Sequence, residues 1–456
     1  MIFSRIVRRF GSSSDDTIVG TPDKRDLIYG KDGNDSLIGD AELNENATLR
    51  GSSDTLYGGT GDDTLIGDVT TSKTTGSGGI ASVRGGNDKL SGGDGNDSLI
   101  GDVKKADLAD YSSATVTGGH DRLSGDAGND TLIGDLGSTS SSGTATISVR
   151  GGSDVLLGGT GEDKIYGDVD NINVNGTVTG GSDFIIGGDG ADTLVGDVRD
   201  AGSSGTVSVK GGSDVLLGGA GDDEIYGDVK EIATDESTIT GGRDILSGGD
   251  GADTLVGDIS DINVYGTATV TGGDDLLKGG DGNDTLIGDV ADASPSSSSG
   301  TISIEGGDDL LKGGAGDDEM HGDVAIVGST GTVSITGGED TLISGAGNDE
   351  MTGGGGTDTF VFTKKDLGTP AATDSITDFN VTEDNDVIDV SKMIDYETGD
   401  DISDYIQVVE IGLNTELRFD VAGTSTFDDH TIVLEGVSAA SVDINALIAS
   451  ENLVVV

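Results

Sequence analysis

An 18-residue segment recurs along this chain and decides what it can fold into. One copy runs from Gly211 to Asp228, and near-copies begin at residues 23, 51, 85, 118, 151, 180, 241, 272, 306 and 337. The start-to-start spacings lie between 28 and 34 residues, so a fixed segment alternates with an insert of variable length. Repetition on this scale predicts a solenoid, in which each unit buries its apolar side against its neighbours.

Two positions of the repeat are apolar in every copy and predict the core. Each lies two residues after an aspartate, between polar or turn-forming residues, as expected for short strands that point alternate side chains inward. The first position is occupied by Ile28, Leu56, Leu90, Leu123, Leu156, Ile185, Leu216, Leu246, Leu277, Leu311 and Leu342. The second is occupied by Leu37, Leu65, Leu99, Leu132, Ile165, Leu194, Ile225, Leu255, Leu286, Met320 and Met351.

The inserts predict a further strand in each coil. Most of them end in an alternation such as Thr206-Val207-Ser208-Val209 or Thr301-Ile302-Ser303-Ile304, which is typical of a half-buried strand. Ten coil spacings then predict a rod about 50 Å long. The outward Thr and Ser side chains of this third strand resemble the ice-binding faces of some solenoids, although such residues also suit any exposed strand.

One glycine position and two aspartate positions are unbroken. The glycines indicate a tight, stacked turn with positive φ or close backbone approach. They are Gly33, Gly61, Gly95, Gly128, Gly161, Gly190, Gly221, Gly251, Gly282, Gly316 and Gly347. The first aspartate row comprises Asp35, Asp63, Asp97, Asp130, Asp163, Asp192, Asp223, Asp253, Asp284, Asp318 and Asp349. The second aspartate row comprises Asp26, Asp54, Asp88, Asp121, Asp154, Asp183, Asp214, Asp244, Asp275, Asp309 and Asp340.

Stacked aspartates need a counter-charge. Neighbouring coils lie about 4.8 Å apart, the spacing of adjacent strands. Two carboxylates at that distance repel by roughly 3.5 kcal/mol at an effective dielectric constant of about 20. A hard divalent cation between the coils makes the interaction attractive, and carboxylate and freed carbonyl oxygens are the ligands that calcium prefers. The rows therefore predict multiple bound Ca²⁺ ions.

The segment from Gly218 to Tyr226, Gly-Gly-Ala-Gly-Asp-Asp-Glu-Ile-Tyr, resembles the nonapeptide of the RTX (repeats-in-toxin) family. Equally good copies occupy residues 58–63, 92–97, 158–163, 187–192, 248–253, 279–284 and 313–318. The resemblance implies an all-β fold, a right-handed parallel β-roll or β-solenoid with coils of about 31 residues. It also implies that motif aspartates and glycine carbonyls share calcium between neighbouring turns. The implied ligands are the first aspartate row, Asp358, Gly58, Gly61, Gly92, Gly95, Gly158, Gly161, Gly187, Gly190, Gly218, Gly221, Gly248, Gly251, Gly279, Gly282, Gly313 and Gly316.

The other half of each unit departs from that motif. In the segment Val209-Lys210-Gly211-Gly212-Ser213-Asp214 the first two family glycines are replaced, whereas the third glycine and the aspartate remain. We therefore expect one edge to hold a full calcium row and the second aspartate row to form a weaker or altered one. On the same grounds, replacing Asp223 is expected to weaken local binding more than replacing Asp228.

A third aspartate row follows the second core strand. We interpret it as solvated turn carboxylates, with metal ligation as the alternative. It comprises Asp40, Asp68, Asp102, Asp135, Asp168, Asp197, Asp228, Asp258, Asp289 and Asp323.

The composition changes near residue 362, where the glycine repeats stop and phenylalanine becomes more frequent. Five later segments resemble the C-terminal target domain of type I-secreted RTX proteins: residues 358–362, 374–379, 386–391, 431–437 and 451–456. The resemblance implies one-step export through the ATP-driven type I secretion machinery of a Gram-negative bacterium, to the medium or the cell surface. We predict three parts: an N-terminal cap or arm at 1–22, the solenoid at 23–362 and a small β-rich secretion domain at 363–456.

Composition excludes several classes of protein. The chain has 84 acidic and 25 basic residues, a net charge of −59, which is too acidic for a nucleic-acid partner. With 82 glycines and 4% aromatic residues it cannot build a conventional core, so without metal we expect disorder. The absence of cysteine excludes disulfides and thiolate metal sites. No apolar run is long enough for a pore or a membrane span.

The N-terminal segment Met1 to Phe10 mixes apolar residues with Arg5, Arg8 and Arg9. It lacks the continuous apolar run and small-residue cleavage site of a Sec signal, so we expect none. A cap over the first coil and an adhesive arm are the two interpretations.

The inventory of chemical groups argues against catalysis. The only histidines, His120, His321 and His430, do not lie in a His-Glu-x-x-His or other ligand spacing, so we expect no enzyme. Two classes remain: a structural component of a surface layer, filament or matrix that binds copies of itself, and a soluble calcium-binding adhesin that recognises a carbohydrate such as a cell-surface polysaccharide.

Overall fold

The computed structural model describes residues 6–40, 46, 48–141, 143–368, 371–382, 384–424 and 426–456. Nearly all of its regular structure is β, arranged in three long sheets that run the length of a rod. The strand pairs of the solenoid are parallel, and equivalent residues of successive coils pair with each other, apart from one register shift between Val198–Lys210 and Val229–Thr240. The predicted all-β parallel solenoid is therefore confirmed.

Sheets A and B contain the two core strands of each coil. Sheet A consists of Val7–Phe10, Asp26–Asp32, Thr55–Thr60, Lys89–Asp94, Arg122–Ala127, Val155–Thr160, Phe184–Asp189, Val215–Ala220, Ile245–Asp250, Leu276–Asp281, Leu310–Ala315, Thr341–Ala346, Thr359–Thr363, Val387–Lys392 and Leu453–Val454. Sheet B consists of Thr17–Val19, Ser36–Ile38, Thr64–Ile66, Ser98–Ile100, Thr131–Ile133, Lys164–Tyr166, Thr193–Val195, Glu224–Tyr226, Thr254–Val256, Thr285–Ile287, Glu319–His321, Glu350–Thr352, Ala372–Ile376, His430–Leu434, Asn414–Phe419 and Ile406–Ile411.

The core lies between these two sheets, where the two apolar positions of the repeat meet. Leu216 pairs with Ile185 and Leu246 of the adjacent coils, and every residue of both predicted apolar rows is completely buried. A parallel stack keeps equivalent residues in contact, so each coil buries its apolar side chains on those of its neighbours. The predicted core is confirmed.

The unbroken glycine row forms the turn from sheet A to sheet B. All eleven of these glycines have positive φ, for example 128° at Gly221. A Cβ added at Gly221 would also collide with the carbonyl oxygen of Gly190 in the preceding coil. Both predicted reasons for glycine therefore hold at this turn.

Sheet C is built from the inserts. It consists of Thr48–Arg50, Val69–Lys73, Ile80–Arg84, Val103–Leu108, Ser113–Thr117, Leu136–Ser141, Thr146–Arg150, Val169–Ile172, Asn175–Thr179, Val198–Lys210, Val229–Thr240, Ile259–Ile262, Thr267–Thr271, Val290–Ala293, Thr301–Glu305, Val324–Val327 and Thr332–Thr336.

Most inserts supply two strands to sheet C, one more than the single strand that the alternation predicts. The additional strand begins directly after sheet B and buries residues such as Val229 and Ile232 in a second core. In two coils both strands merge into one, as in Val198–Lys210. The missed signal is the aliphatic residue that follows each third-row aspartate.

Sheets A and B continue beyond both predicted boundaries of the solenoid. Near the N-terminus, Val7–Phe10 pairs with sheet A, and the Phe10 ring stacks on Tyr29 with centroids 5.4 Å apart. Residues 1–5 of the predicted cap or arm, including Arg5, lie outside the described residues.

The C-terminal region closes the opposite end of the rod. Its strands extend sheets A and B past residue 362, so no break in the sheets marks the predicted domain boundary. The hairpin of Ile406–Ile411 and Asn414–Phe419 adds antiparallel pairs to sheet B. Helical structure comprises the 3₁₀ turns Ile402–Asp404 and Ala439–Ser441 and the α-helix Ile444–Ala449. None of the helices in the described ranges is long and apolar enough to cross a membrane.

Candidate metal centres

The first aspartate row lies at the turn from sheet A to sheet B and presents one free oxygen per coil. Oδ1 of Asp223 accepts a 2.8 Å hydrogen bond from the backbone N–H of Asp192, one coil earlier. Its Oδ2 is buried and has no hydrogen-bond partner, and the same holds for Oδ2 of every member of the row. A buried carboxylate oxygen without a donor costs free energy unless a cation compensates it.

Glycine leaves room beside each of these oxygens. A Cβ added at Gly218 would collide with Oδ2 of Asp223 and lie 2.8 Å from the carbonyl oxygen of Gly248 in the next coil. The carboxylate oxygen and the carbonyl therefore border one small space between successive coils. An oxygen-lined space of this kind fits calcium, so this donor set is suitable for the ion that the motif implies.

The second aspartate row repeats this arrangement at the opposite edge. Oδ1 of Asp214 accepts a 2.6 Å hydrogen bond from the N–H of Asp183, and its buried Oδ2 has no partner. A Cβ added at Gly196 would collide both with this Oδ2 and with the carbonyl oxygen of Gly227. The two edges therefore present equivalent free oxygens to a cation.

The third aspartate row is buried, so its interpretation as solvated turn carboxylates is wrong. Asp228 is 0% exposed, and every member of the row is at most 2% exposed. Oδ2 of Asp228 accepts a 2.9 Å hydrogen bond from the N–H of Gly242, which follows the insert, while Oδ1 has no partner. The row is buried because each carboxylate joins the two ends of its insert.

Carboxylates of the second and third rows come together at the second edge. Oxygens of Asp197, Asp214 and Asp228 lie within 4.8 Å of one another. Three further groups have the same arrangement: Asp68 with Asp88 and Asp102, Asp102 with Asp121 and Asp135, and Asp135 with Asp154 and Asp168. This edge, which the sequence predicts to be the altered one, thus concentrates more negative charge than the first.

The arrangement of the second edge is explained by an interrupted motif. Gly227 and Asp228 come before the insert, whereas Gly242 and Asp244 come after it. The hydrogen bond from the N–H of Gly242 to Asp228 joins the two halves of the motif. Asp228 occupies the place of the second motif glycine. Reading the motif across the insert would have identified Asp228 as part of the site.

The motif groups Asp358 with the first row, but the structure places it in the second row. Its Oδ1 accepts a 3.0 Å hydrogen bond from the N–H of Asp340, a member of the second row. The reason is that Gly353 to Asp358 form a turn without an insert, so the uninterrupted motif here occupies the second edge.

Asp374 adds one member to the first row, beyond the last of the eleven repeats. Asp349 donates its N–H to Oδ1 of Asp374, and Oδ2 of Asp374 lies 3.2 Å from Nε2 of the buried His430. His120 bonds the N–H of Ser153 and His321 lies beside Glu319, so the three histidines occupy separate places.

Burial raises the pKa of these carboxyl groups. The pKa of Asp223 rises from 3.8 to about 7 mainly because the group is desolvated, although the N–H of Asp192 lowers it. The pKa values of Asp214 and Asp228 lie well above the ordinary range, mainly because both groups are buried. The negative charge of Asp183 raises the pKa of Asp214 further, and that of Asp197 raises the pKa of Asp228. Without a cation, the rows therefore favour protonated carboxyl groups.

In the absence of calcium, lowering the pH is expected to restore part of the β structure. The pKa of Asp223 is higher in the folded chain, at about 7, than its ordinary value of 3.8, so its contribution to stability is present below pH 3.8 and is lost as pH rises to about 7. In chelator, circular dichroism should therefore show more β structure at about pH 5 than at about pH 7.5. With calcium the dependence reverses, because the ion must displace protons and the calcium midpoint rises on acidification. Equal disorder at both pH values in chelator would contradict this expectation.

The profile of the RTX calcium-binding nonapeptide repeat matches residues 10–42, 50–69, 81–103, 115–140, 139–171, 177–198, 205–229, 239–261, 267–292, 305–324 and 326–362. These segments make up more than half of the chain, which therefore belongs to this family of calcium-binding repeat proteins. Multiple Ca²⁺ ions are accordingly its cofactors, and the aspartate groups provide places for them.

Among solved structures, the chain is similar to the AlgE6R3 subunit of the Azotobacter vinelandii mannuronan C5-epimerase. The two share 25% sequence identity over 38% of this chain and 78% of that chain, with a TM-score of 0.23. No curated protein matches this chain.

Proposed function

We propose that this is a secreted, non-enzymatic calcium-binding protein whose solenoid folds on calcium outside the cell. It then serves as a structural component of a surface layer, filament or matrix. The observation that supports this proposal is the continuous series of buried carboxylate oxygens without hydrogen-bond donors along both edges. A rod that depends on so many cations can remain unfolded where calcium is scarce and fold where it is plentiful.

Export is the second part of the proposal, and it rests on the C-terminal segments that resemble a secretion domain. Deleting residues 447–456 removes half of the α-helix Ile444–Ala449 and the last strand of sheet A, Leu453–Val454. We expect the truncated protein to stay in the producing cell, while the purified truncation still gains β structure in calcium.

A matched variant separates the signal from the folding of this region. Leu447 and Leu453 are buried, so replacing both by Ala loosens the packing yet keeps the tail. This variant should still be exported. Normal secretion of the truncation, or failure of both variants alike, would contradict a role for the tail in export.

The structural role is tested by assembly. Sheets A and B repeat equivalent strands in coil after coil, and such repetition offers long repeated surfaces for packing. Electron microscopy and sedimentation in millimolar calcium should show layers, filaments or oligomers that are lost in chelator. A strictly monomeric protein at high concentration would instead favour the soluble adhesin.

The soluble adhesin is the second candidate, and the outer face of sheet C supports it. Arg50, Arg84, Arg150 and Lys210 lie on that face among Thr and Ser residues. The charged side chains stand in the column next to an unbroken column of Thr and Ser residues, so the face lacks the flat two-column hydroxyl array of the ice-binding interpretation. The same side chains suit a charged carbohydrate.

A further inference from the structure

The outer face of sheet C carries two parallel columns of side chains along the rod axis. The hydroxyl column is a ladder in which every member is Thr or Ser. It comprises Thr48, Ser82, Thr115, Ser148, Thr177, Ser208, Thr238, Thr269, Ser303 and Ser334. The cation column lies two residues further along each strand and contains Arg50, Arg84, Thr117, Arg150, Thr179 and Lys210.

The charged members of the cation column are exposed and free of carboxylates. The side chains of Arg50, Arg84, Arg150 and Lys210 point outward, because their chain neighbours Leu49, Val83, Val149 and Val209 face the interior. Within the described part of the chain, none of these four cations forms an ion pair. In a chain of net charge −59, four unpaired cations on one face are unexpected.

The solvent-facing positions on either side of the cation column are also free of acidic residues. From the coil of Arg84 to that of Lys210, the strand position before the hydroxyl column holds Ile80, Ser113, Thr146, Asn175 and Thr206. The turn beyond the cation column holds Asn87, His120, Ser153, Ser182 and Ser213. Acidic residues return in later coils, at Glu236, Asp274, Glu305, Asp308 and Glu339. The cations therefore occupy a strip on one half of the rod whose exposed side chains include no acidic residue, next to the buried carboxylates of the second edge.

The spacing of the cations within this strip is regular. Arg84 and Arg150 are two coils apart, and Arg150 and Lys210 are again two coils apart, with Thr117 and Thr179 between them. Two coils correspond to about 10 Å and the span from Arg50 to Lys210 to about 24 Å. A distance of two coils is close to the length of a disaccharide in an extended polysaccharide.

We propose that this strip binds an extended anionic polysaccharide that carries a carboxylate on alternate sugars. Arg84, Arg150 and Lys210 would pair with successive carboxylates, since guanidinium groups bind carboxylates through two parallel hydrogen bonds. The hydroxyl column would bond the sugar hydroxyls between them. Single-stranded nucleic acid fits less well, because neither column carries an aromatic side chain on which bases could stack.

This proposal rests on the second candidate function, the carbohydrate-binding adhesin, and it also requires that the solenoid is folded. The carboxylate rows lie inside the rod, and calcium there lowers the negative charge that would otherwise repel a polyanion. Binding is therefore expected in millimolar calcium and is expected to weaken as salt is added.

The test uses a decasaccharide of alternating glucuronate and N-acetylglucosamine, which has one carboxylate per disaccharide. Isothermal titration calorimetry in millimolar calcium should detect binding to the unaltered protein. The triple variant Arg84→Glu, Arg150→Glu, Lys210→Glu should lose at least about tenfold in affinity, since hydrogen bonds to charged groups are the strong ones. Circular dichroism in calcium shows separately whether each variant is folded.

A matched variant makes the same change of charge elsewhere. Arg122, Lys278 and Lys312 lie on the outer face of sheet A, and their replacement by Glu should change the affinity less than about threefold. Equal losses in the two triple variants would overturn the proposal. So would the absence of binding, or equal binding of a neutral N-acetylglucosamine oligosaccharide or of linear polyphosphate.

Discussion

In excess chelator at neutral pH, the purified protein is expected to show the circular dichroism spectrum of a disordered chain. Adding calcium to about 10⁻⁴ to 10⁻³ M, the range of extracellular modules, should convert it to β structure. The reason is that the first and second rows stack buried carboxylates with a free Oδ2 in coil after coil. Those charges repel one another in the absence of a cation, and the glycine-rich chain has little other core to oppose them.

Magnesium at the same concentration is the control for this transition. It demands near-ideal octahedral geometry and gives up its water reluctantly, so it should be much less effective than calcium at these oxygen sites. A fully formed β spectrum in chelator at neutral pH would contradict metal-driven folding.

Replacing Asp228 by Asn is expected to weaken calcium binding at least as much as replacing Asp223 by Asn. Asp228 shares a group of three carboxylates with Asp197 and Asp214, and its free Oδ1 is buried there. Removing one of the three charges of this buried cluster should lower the local calcium affinity by at least about tenfold. A loss of that size is seen at other metal sites when a residue that hydrogen-bonds to a metal ligand is replaced. This expectation differs from the one based on the motif alone, in which Asp223 contributes more than Asp228.

Asp222 provides the matched control for this comparison. It is exposed, neighbours Asp223 and accepts a 2.9 Å hydrogen bond from the N–H of Ala252, which an asparagine oxygen also accepts. Calcium titrations followed by calorimetry should show Asp222→Asn close to the unaltered protein. If Asp228→Asn also behaved like the unaltered protein, the third row would have no part in binding calcium.

The sequence predicts the two-sheet core and the glycine turn because both are local and periodic. Leu216 and Ile225 recur at fixed distances from their aspartates, so the pattern alone indicates an inward side chain. Gly221 recurs without exception, and the positive φ and the stacked carbonyl both account for it. Features confined to one 18-residue segment are therefore predictable without a structure.

Features that span an insert are not predictable in the same way. The burial of Asp228 depends on the N–H of Gly242, 14 residues later, and the length of this connection varies from coil to coil. Asp358 is assigned to the wrong row for the related reason that its turn has no insert. The alternation of Arg84, Thr117 and Arg150 appears only once the strands are aligned in register.

The most direct test of calcium between the coils is a crystal structure of the protein grown in calcium, with ions located by anomalous scattering. The predicted result is a row of peaks beside Oδ2 of Asp223 and its equivalents, and a second row among groups such as Asp197, Asp214 and Asp228. A folded solenoid without peaks at either edge would contradict it. In that case protonated carboxyl groups would have to hold the coils together.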